Sequence, residues 1–453
     1  MTSTHQPTAA PARDLTPWLL AAILLLSTLL RLGVALFLGD ATPPGKDETS
    51  YSTLAMRVAS GHGFSFPVAW YPFAPADAPT AHWSFLYTGF AAAVYTLTGW
   101  HPLAVRLVSA LLSGILMPLV VFFLARRAFP SRSPLSLTVH RSPFTVHHPL
   151  SLLAAFLAAI YAYFILYGAM VQTEALFIVA LLWSLERALA MEQALRAGQR
   201  VRPALVITLG ISLGVAALLR QSILPWVAVL GLYLLWTGHR QRRLGPALAS
   251  LAAAAAITLL FILPFTLRNY AAYGEFLLLN SNAGYAMYSA QHPLHGSSFQ
   301  EYAAAPLPED LSALGLNEAQ WDKALLGRGI GFVLAEPGRY LLLSLSRVAD
   351  YFEFWPTRDS SLLFNVGRLI SFTLFLPFML YGLWLSRRDW RRHTLLYLFI
   401  FVYSLMHIFG WAMSRYRLPV DAVLLLFAAQ GIAALVARLS ARGAAGDASA
   451  ASA

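Results

Sequence analysis

Two adjacent carboxylates, Asp47 and Glu48, are the first residues of the chain whose types suggest chemistry. They follow the first strongly apolar segment and open a stretch that the sequence predicts to be a short helix, which Gly61 ends. A helix N-terminus favours negative charge, so an ordinary acidic cap is the alternative explanation of the pair. The surrounding chain is highly apolar, and paired acids held at a membrane surface are therefore candidates for catalysis.

Further ionisable residues lie beside predicted membrane spans, far apart in the sequence. Placing an ionisable residue at the centre of a membrane helix costs about 2.5–3.5 kcal/mol, so each of these residues is a candidate for a functional role. For a single arginine the alternative is snorkelling to the interface. Arginine forms bidentate bonds to phosphate, and a carboxylate facing an arginine-held phosphate suits transfer to an attacking hydroxyl. The candidates on the predicted outer face are Glu174, Arg220, Arg268, Arg415 and Arg417.

Composition settles the class of protein. Of 453 residues, 58% are hydrophobic and 12% are charged, whereas about a quarter are charged in soluble domains. Apolar runs long enough to cross a bilayer recur, which predicts an all-α polytopic membrane protein. The absence of cysteine excludes disulfides and thiolate chemistry. The net charge of +11 sits in short loops that set topology, so we expect membrane lipids and no nucleic acid as partners.

Hydropathy predicts a bundle of about 10–12 transmembrane helices with juxtamembrane helices in the outer loops. The candidate spans are 18–38, 83–98, 103–124, 150–167, 175–190, 203–219, 223–236, 246–267, 362–385, 394–413 and 418–437. Four arginine clusters, near 126–141, 196–202, 240–243 and 387–392, should face the cytoplasm. The loops 39–82, 168–174, 268–361 and 414–417 then face outward. The alternation of inside and outside loops favours a partial, re-entrant or interfacial segment over 83–98, although a full crossing with an outward basic loop also fits the hydropathy.

The segments outside the spans divide into tails and loops. We expect a disordered cytoplasmic N-terminus over 1–16, a transmembrane domain over 17–438 and a disordered tail over 439–453. The Pro- and Ser-rich loop 126–149 should be a cytoplasmic insertion without catalytic function. The large outer loop 268–361 should contain helices near 311–326 and 337–352. Its aromatic and amide residues, including Tyr285, suit a sugar-facing surface, and an aromatic belt at the membrane surface is the alternative.

Several stretches resemble one known family. The run Asp47-Glu48-Thr49-Ser50-Tyr51, followed by Ala55 and Gly61, is similar to the first-loop motif of GT-C membrane glycosyltransferases, in the branch of bacterial aminoarabinose transferases and protein O-mannosyltransferases (family 39 and 83 type). Further stretches resemble the same superfamily in matching order over roughly 15–438: Arg106-Leu107-Val108, Thr173-Glu174-Ala175-Leu176, Leu219-Arg220, Pro264-Phe265-Thr266-Leu267-Arg268-Asn269 and Arg415-Tyr416-Arg417-Leu418-Pro419.

The resemblance implies a function. Its members transfer a sugar, with inversion, from a polyprenyl-phosphate donor to an acceptor hydroxyl outside the cytoplasm. It therefore implies a multi-pass protein of the bacterial inner (plasma) membrane, with its active site facing the periplasm or exterior and a lipid, glycan or protein as acceptor. Asp47 matches the base or acceptor-positioning acid, with Glu48 and Glu174 as further catalytic candidates. The substrate-binding candidates are Tyr51, His82, Arg220, Arg268, Asn269, Tyr285, Arg415 and Arg417.

The chain departs from the aminoarabinose branch at the end of the first loop. Where that branch has a Glu-Lys-Pro-like element, this chain reads Thr80-Ala81-His82-Trp83-Ser84. No metal site is assigned for this reason, although a divalent metal stays possible at His82 with Asp47 or Glu48. Arginine then has to supply the charge neutralisation.

Other functions stay open at this point. A transporter or flippase of lipid-linked sugars should carry buried charges at mid-membrane and two related halves. A polymer ligase should concentrate basic residues and histidine in one large outer loop, and a silent membrane scaffold needs no catalytic acid. The sequence shows no internal repeat, and its acids lie in the first loop, which favours the glycosyltransferase.

Overall fold

The computed structural model describes residues 13–40, 46–130, 144–300, 303, 305–358 and 360–450, and most of these residues are helical. Two short strands, β1 (Arg13–Asp14) and β2 (Phe144–Thr145), pair in parallel. The helices are α1 (Thr16–Leu38), α2 (Lys46–Ala59), α3 (Phe85–Thr98), α4 (Pro102–Ala128), α5 (Pro149–Ile160), α6 (Ala162–Ala169), α7 (Glu174–Arg196), α8 (Pro203–Leu219), α9 (Leu224–Arg240), α10 (Leu244–Tyr273), α11 (Ala283–Gln291), α12 (Glu309–Ser312), α13 (Glu318–Ala335), α14 (Pro337–Tyr351), α15 (Leu362–Arg368), α16 (Leu374–Ser386), α17 (Trp390–Phe409) and α18 (Leu418–Ala450).

The helices make this a multi-pass membrane protein. Among the described residues, six helical segments are long and apolar enough to cross a membrane, or seven if the bent pair α5–α6 forms one span. The six are Thr16–Leu38, Pro102–Ala128, Gln221–Arg240, Leu244–Tyr273, Leu362–Phe409 and Ser414–Arg442. All eleven segments predicted from hydropathy coincide with helices. The segment 175–190 lies in α7, whose side chains are mostly buried in protein.

The bundle has two faces, which we define by the helix ends. The site face is the end at which α1 finishes and α4 and α7 begin, and the opposite face is the end at which α4 and α7 finish. A hydrogen bond of 2.7 Å from the Leu103 amide to Asp40 joins the end of α1 to the start of α4. The described arginines at the ends of α4, α7 and α9 and between α16 and α17 belong to the opposite face, so the described part of each basic cluster lies on one side of the protein.

Helix α3 lies along the site face. At its N-terminal end, Ser84 Oγ donates to the carbonyl of Leu218, at the end of α8. At its C-terminal end, the hydroxyls of Tyr95 and Ser52 are 2.7 Å apart. Both ends therefore meet the same side of the bundle. The partial segment over 83–98 stays a prediction, and α3 itself is a short apolar helix of 14 residues.

A bend of 56° separates α5 from α6, and the buried Arg31 lies beside it. Arg31 Nη1 in α1 donates to the Ala159 carbonyl at 3.3 Å and to Ser27 Oγ at 2.6 Å. A bend frees backbone carbonyls that have no water partner in a membrane, and the guanidinium satisfies them. The bend leads the chain through α6 to the start of α7, where Glu174 lies.

The outer loop and the C-terminal tail differ from the sequence-based expectation in extent. In the loop 268–361 we predicted helices near 311–326 and 337–352. The longer helices in the structure are α13 (Glu318–Ala335) and α14 (Pro337–Tyr351). At the C-terminus, α18 continues to Ala450 through a segment that we expected to be disordered. That segment is rich in alanine, which has the highest helix propensity. Residues 13–16 are ordered at the N-terminus, and residues 1–12, 131–143 and 451–453 lie outside the described residues.

Candidate active site

Helix α2 positions the two acids of the first loop. Asp47 and Glu48 occupy its first turn, where the exposed backbone amides of a helix favour negative charge. The inward side of α2 carries Leu54 and Ala55, which are fully buried. Because packing of this side sets the rotation of the helix, and successive residues are about 100° apart around a helix, the two acids point in different directions.

Asp47 forms an ion pair with a residue from the other end of the chain. Its Oδ2 lies 2.5 Å from Nη1 of Arg415, and the two side chains are 30% and 20% exposed. Burial opposes ionisation of Asp47, but the neighbouring Arg415 guanidinium outweighs it and lowers the pKa of the carboxyl below its usual value. Asp47 is therefore an ionised carboxylate, still accessible to a ligand, at neutral pH.

Glu174 links the same arginine to a second one. Nη1 of Arg415 lies 3.9 Å from Oε1 of Glu174, and that oxygen also accepts a hydrogen bond from Arg220. Arg220 has left the helix at the end of α8, in an extended conformation, and its Nε donates to Thr173 Oγ1 at 2.8 Å. Four charges from four parts of the chain thus alternate in the order Asp47, Arg415, Glu174, Arg220. We call this set the charge chain.

The ring of Tyr416 supports both arginines of the charge chain. The guanidinium carbons of Arg220 and Arg415 lie 5.4 Å and 5.2 Å from its centroid. The ring face attracts cations, and its rigid position limits how far the two groups can separate. The side chains of Arg220 and Arg415 are 19% and 20% exposed.

Glu48 points away from the charge chain. Its Oε1 accepts hydrogen bonds from Nη2 of Arg106, at 3.1 Å, and from the Val171 amide, at 2.7 Å. Glu48 and Arg106 are both buried. The pair joins α2 to the start of α4 and to the segment before α7, so it fixes the position from which the adjacent Asp47 reaches Arg415.

Three of the other sequence candidates are not part of the charge chain. Arg417 is fully buried and forms an ion pair with Asp421 at 2.9 Å. The fully buried Asn269 donates from its amide to the carbonyls of Leu277 and Leu279. Arg268 lies 5.5 Å from the ring centroid of Phe85, with Phe64 and Tyr273 at similar distances. The structure therefore places these three in the packing of the loop and bundle.

An aromatic cluster lies beside Asp47, formed by residues of the first loop, Trp83 and Tyr285 of α11, and it contains the remaining candidates. The centroids of Tyr71 and Tyr285 are 5.3 Å apart, and His82 lies 6.4 Å from Tyr71. Tyr51 packs against Trp83 at 5.3 Å. Burial lowers the pKa of His82 to about 4, so its ring is neutral at pH 7. Its Nδ1 is buried and has no hydrogen-bond partner among the described residues.

Comparison with solved structures identifies the fold. The chain matches the oligosaccharyltransferase of Archaeoglobus fulgidus tethered to an acceptor peptide, with a TM-score of 0.56 and 15% identity over 94% of this chain and 50% of that one. The archaeal oligosaccharyltransferase AglB of the same organism, in complex with an inhibitory peptide and a dolichol-phosphate, matches with a TM-score of 0.55 and 15% identity over 95% and 52%. The chain has the GT-C fold.

The match covers most of this chain but only part of each archaeal enzyme. The GT-C chain described here spans about half the length of the oligosaccharyltransferases it matches. ArnT from Cupriavidus metallidurans, bound to undecaprenyl phosphate, also matches, with 15% identity over 92% of this chain and 78% of that one, but its TM-score of 0.39 is too low to carry weight. No protein-family profile and no curated protein sequence matches the chain.

In this GT-C fold, arginines balance the charge of the two acids of the charge chain. A hard cation takes six or more oxygen ligands, usually including several carboxylates. Among the described residues, no three histidine, aspartate or glutamate side chains are grouped as metal ligands. Asp47 and Glu174 already face the guanidinium groups of Arg415 and Arg220, which balance their charge. Arginine occupies the position between the two acids.

Sequence reasoning missed three residues that the structure brings to the site. Arg106 pairs with Glu48, Thr173 accepts from Arg220, and Tyr416 supports both arginines. Arg106 carried a usable signal, because an arginine in the first turn of an apolar helix needs a nearby partner. Thr173 and Tyr416 adjoin the candidates Glu174 and Arg415, and only their tertiary contacts distinguish them from ordinary neighbours.

Proposed function

We propose that the protein is a membrane glycosyltransferase that transfers a sugar, with inversion, from a polyprenyl-phosphate donor to a hydroxyl of a lipid, glycan or protein acceptor. One observation carries the proposal. The ionised Asp47 and the two arginines Arg415 and Arg220 meet at one face of the bundle, although 368 positions separate Asp47 from Arg415. Sugar transfer from a lipid phosphate needs these two kinds of group side by side.

In the proposed reaction the arginines bind the donor phosphate. The two guanidinium groups are planar donors with several N–H groups each, and both lie partly exposed beside one ring. A phosphate competes with Asp47 and Glu174 for them. When Arg415 turns to the phosphate, its hold on Asp47 weakens, and the carboxylate becomes free to accept a hydrogen bond from the acceptor hydroxyl.

The chemical step then balances without a further reactant. The acceptor oxygen forms a bond to the anomeric carbon of the sugar while the bond from that carbon to the phosphate oxygen breaks. The hydroxyl proton passes to Asp47, and the electron pair of the broken bond leaves with the polyprenyl phosphate. Arg415 and Arg220 stabilise the charge that develops on that oxygen. Glu174 holds the two arginines in place between turnovers.

The location of the charge chain also bears on the alternatives. Glu174 is the first residue of α7 and Arg220 follows the last residue of α8, so both lie at helix ends. A transporter of lipid-linked sugars is expected to place its binding charges near mid-membrane. The arginine clusters lie on the opposite face, which the positive-inside rule assigns to the cytoplasm. We therefore propose that the site faces the periplasm or exterior of a bacterial inner membrane.

The neighbours in structure support the class of donor. The archaeal enzyme of the same fold is described in complex with dolichol-phosphate, a polyprenyl phosphate, and with an inhibitory peptide. Tyr71 and Tyr285, which meet edge to face beside His82, offer this chain an aromatic surface next to Asp47, and aromatic faces suit sugar rings. The acceptor is proposed to enter from this side.

The first experiment identifies the donor and then tests Asp47. Lipids that co-purify with the protein are analysed by mass spectrometry, and the identified sugar lipid is supplied in a single-turnover assay. Asp47→Asn should slow transfer by about 10²–10⁴-fold, the usual contribution of a positioned acid–base group. Donor binding, followed by thermal stabilisation, should persist.

The control is Asp77→Asn in the same loop. Asp77 is 69% exposed and pairs with Arg57, away from the charge chain. The Asp77→Asn variant should transfer sugar at the wild-type rate. Undiminished transfer by Asp47→Asn would exclude Asp47 as the base, and a co-purified lipid without a phosphate-linked sugar would count against the whole proposal.

A further inference from the structure

An open cavity of about 990 Å³ lies at the opposite face, far from the charge chain. The end of α4, the second half of α7 and the turn between α16 and α17 form its walls. Six arginines and three carboxylates line it: Arg126, Arg127, Arg196, Arg388, Arg391, Arg392, Glu186, Glu192 and Asp389. The cavity is therefore strongly positive. The positive-inside rule explains why arginines lie on this face, but it does not require them to surround one cavity.

Two buried glutamates hold part of the arginine set in place. Oε1 of Glu186 accepts from Nε of Arg127 at 2.6 Å. Glu192 Oε1 accepts from Nε of Arg196 at 2.9 Å and from the hydroxyl of Tyr233 at 2.5 Å. Both glutamate side chains are at most 5% exposed. In this wall of the cavity, two buried glutamates thus hold the guanidinium groups of Arg127 and Arg196 in place.

The opposite wall carries three arginines and one acid, Asp389. Arg388, Arg391 and Arg392 are exposed and form no ion pair with a carboxylate of the described residues. The sequence that follows Pro130 at the rim supplies no acid, since its charged residues up to Phe144 are two further arginines, Arg132 and Arg141. This wall therefore offers three arginines to an anion from outside the protein.

The aromatic residues around the cavity indicate the level of lipid head groups. Trp384 and Trp390 are about half exposed, and the guanidinium carbons of Arg387 and Arg391 lie 4.7 Å and 5.7 Å from their rings. Tryptophan concentrates where a membrane meets water, and arginine clusters at that level attract anionic lipids. A free anion from solution would gain no favourable contact with these apolar rings.

We propose that this cavity binds the phosphodiester head group of an anionic glycerophospholipid from the leaflet on its own side of the membrane. Arg388, Arg391 and Arg392 contact the phosphate, and Glu186 and Glu192 keep the facing wall rigid. The site is distinct from the charge chain, and it does not depend on the proposed sugar transfer. Its occupation would connect α4 and α7 to the α16–α17 turn and stabilise the bundle.

The test compares two triple variants with equal loss of charge. Arg388→Gln/Arg391→Gln/Arg392→Gln removes the three arginines of the opposite wall. Arg240→Gln/Arg242→Gln/Arg243→Gln removes three arginines of the same face that do not line the cavity. Each full-length protein is purified in mild detergent, and thermal unfolding is followed in mixed micelles that contain phosphatidylglycerol or phosphatidylcholine. Bound phospholipid is quantified by mass spectrometry.

Phosphatidylglycerol should stabilise the wild-type protein and the control variant more than phosphatidylcholine does. The cavity variant should lose this preference. The amount of phosphatidylglycerol that co-purifies with it should be about tenfold lower than for the wild type, because each arginine contributes to the attraction of anionic lipid. Equal retention by the two triple variants would overturn the proposal. Stabilisation of the wild type by inorganic phosphate to the same degree as by phosphatidylglycerol would also overturn it, since the source would then be solution.

The proposal stays testable if the cavity triple variant fails to fold. The single variants Arg388→Gln and Arg392→Gln should each reduce the preference for phosphatidylglycerol in the same assay, with Arg242→Gln as the matched control. A wild-type protein without any preference between the two lipids would exclude the site irrespective of the variants.

Discussion

Nη1 of Arg415 lies 2.5 Å from Oδ2 of Asp47, although 368 positions of sequence separate the two residues. The first loop and the segment before the last helix therefore share one ion pair. The same nitrogen lies 3.9 Å from Oε1 of Glu174, so Arg415 stands between two carboxylates. Any anion that binds Arg415 must alter the surroundings of Asp47 as well, which couples donor binding to the availability of the acid.

Replacement of Arg415 should weaken donor binding. Arg415→Gln removes a charge-assisted contact to phosphate, worth about 1.5–3 kcal/mol, and affinity for a polyprenyl phosphate should fall by about 10–100-fold. Arg415→Lys keeps the charge but not the planar fork, so its loss should be smaller. The measurement is stabilisation of the purified protein by undecaprenyl phosphate in a thermal unfolding assay.

Arg268→Gln serves as the comparison for Arg415. The Arg268 guanidinium packs near Phe64, Phe85 and Tyr273 and has no contact with the charge chain, so donor affinity should be retained. An equal loss of affinity in both variants would show that the phosphate extends to Arg268 and that the charge chain alone does not define its site.

The Glu48–Arg106 pair should matter for stability. Removal of one partner leaves a buried charge, so Arg106→Met should lower the free energy of unfolding by about 3–5 kcal/mol. Glu48→Gln keeps an acceptor for the Val171 amide and should cost less. The double variant Glu48→Gln/Arg106→Met should cost less than the sum of the single changes, because it leaves no unpaired charge.

Activity distinguishes this role from a catalytic one. Glu48→Gln should transfer sugar at a rate close to wild type at a temperature where it is folded, in contrast to Asp47→Asn. Loss of transfer with unchanged thermal stability would instead assign Glu48 to the chemistry.

Asp322 in α13 should make stability depend on pH. Its Oδ1 accepts from the Gly284 amide at 2.7 Å, and burial raises the pKa of the carboxyl to about 6. The folded protein then binds a proton more tightly than the unfolded chain, whose aspartate titrates near 3.8. This contribution to stability is present below about pH 3.8 and is lost as pH rises to about 6. The difference of about two pH units corresponds to about 3 kcal/mol.

Asp322→Asn isolates this effect. Asparagine can still accept from Gly284 and carries no charge, so the variant should unfold at a higher temperature than wild type at pH 7 and at a similar one at pH 4. The measurement is thermal unfolding in detergent across that range. A variant less stable than wild type at pH 7 would show that the ionised carboxylate has a partner that stabilises it.

His82 should have the opposite pH dependence. Burial lowers the pKa of its ring to about 4, whereas the unfolded chain titrates near 6.5. The unfolded state therefore binds more protons between these values, and stability is lost as pH falls from about 6.5 to 4. His82→Gln, which cannot be protonated, should flatten this part of the profile. The test uses the Asp322→Asn variant, in which the opposing effect of Asp322 is absent. If the stability of this variant did not change between pH 6.5 and 4, a buried neutral His82 ring would be contradicted.

Much of the fold follows from local sequence. Each of the eleven apolar segments predicted from hydropathy is helical, because a chain in a membrane must satisfy its backbone hydrogen bonds within each segment. The position of the first acidic pair was also predictable, since it directly follows the first span. The end of α18 was not, because a tail with many small residues suits either disorder or an alanine-rich helix.

The sequence by itself determined that acids and arginines lie near the ends of membrane helices. Only the tertiary structure decided which of them form contacts. Asp47 and Glu48 are neighbours in sequence, yet one reaches Arg415 and the other Arg106. Arg415 and Arg417 are two positions apart, yet Arg417 is buried against Asp421. Adjacent side chains on a helical turn point in directions about 100° apart, and only the packing of its apolar side fixes the rotation.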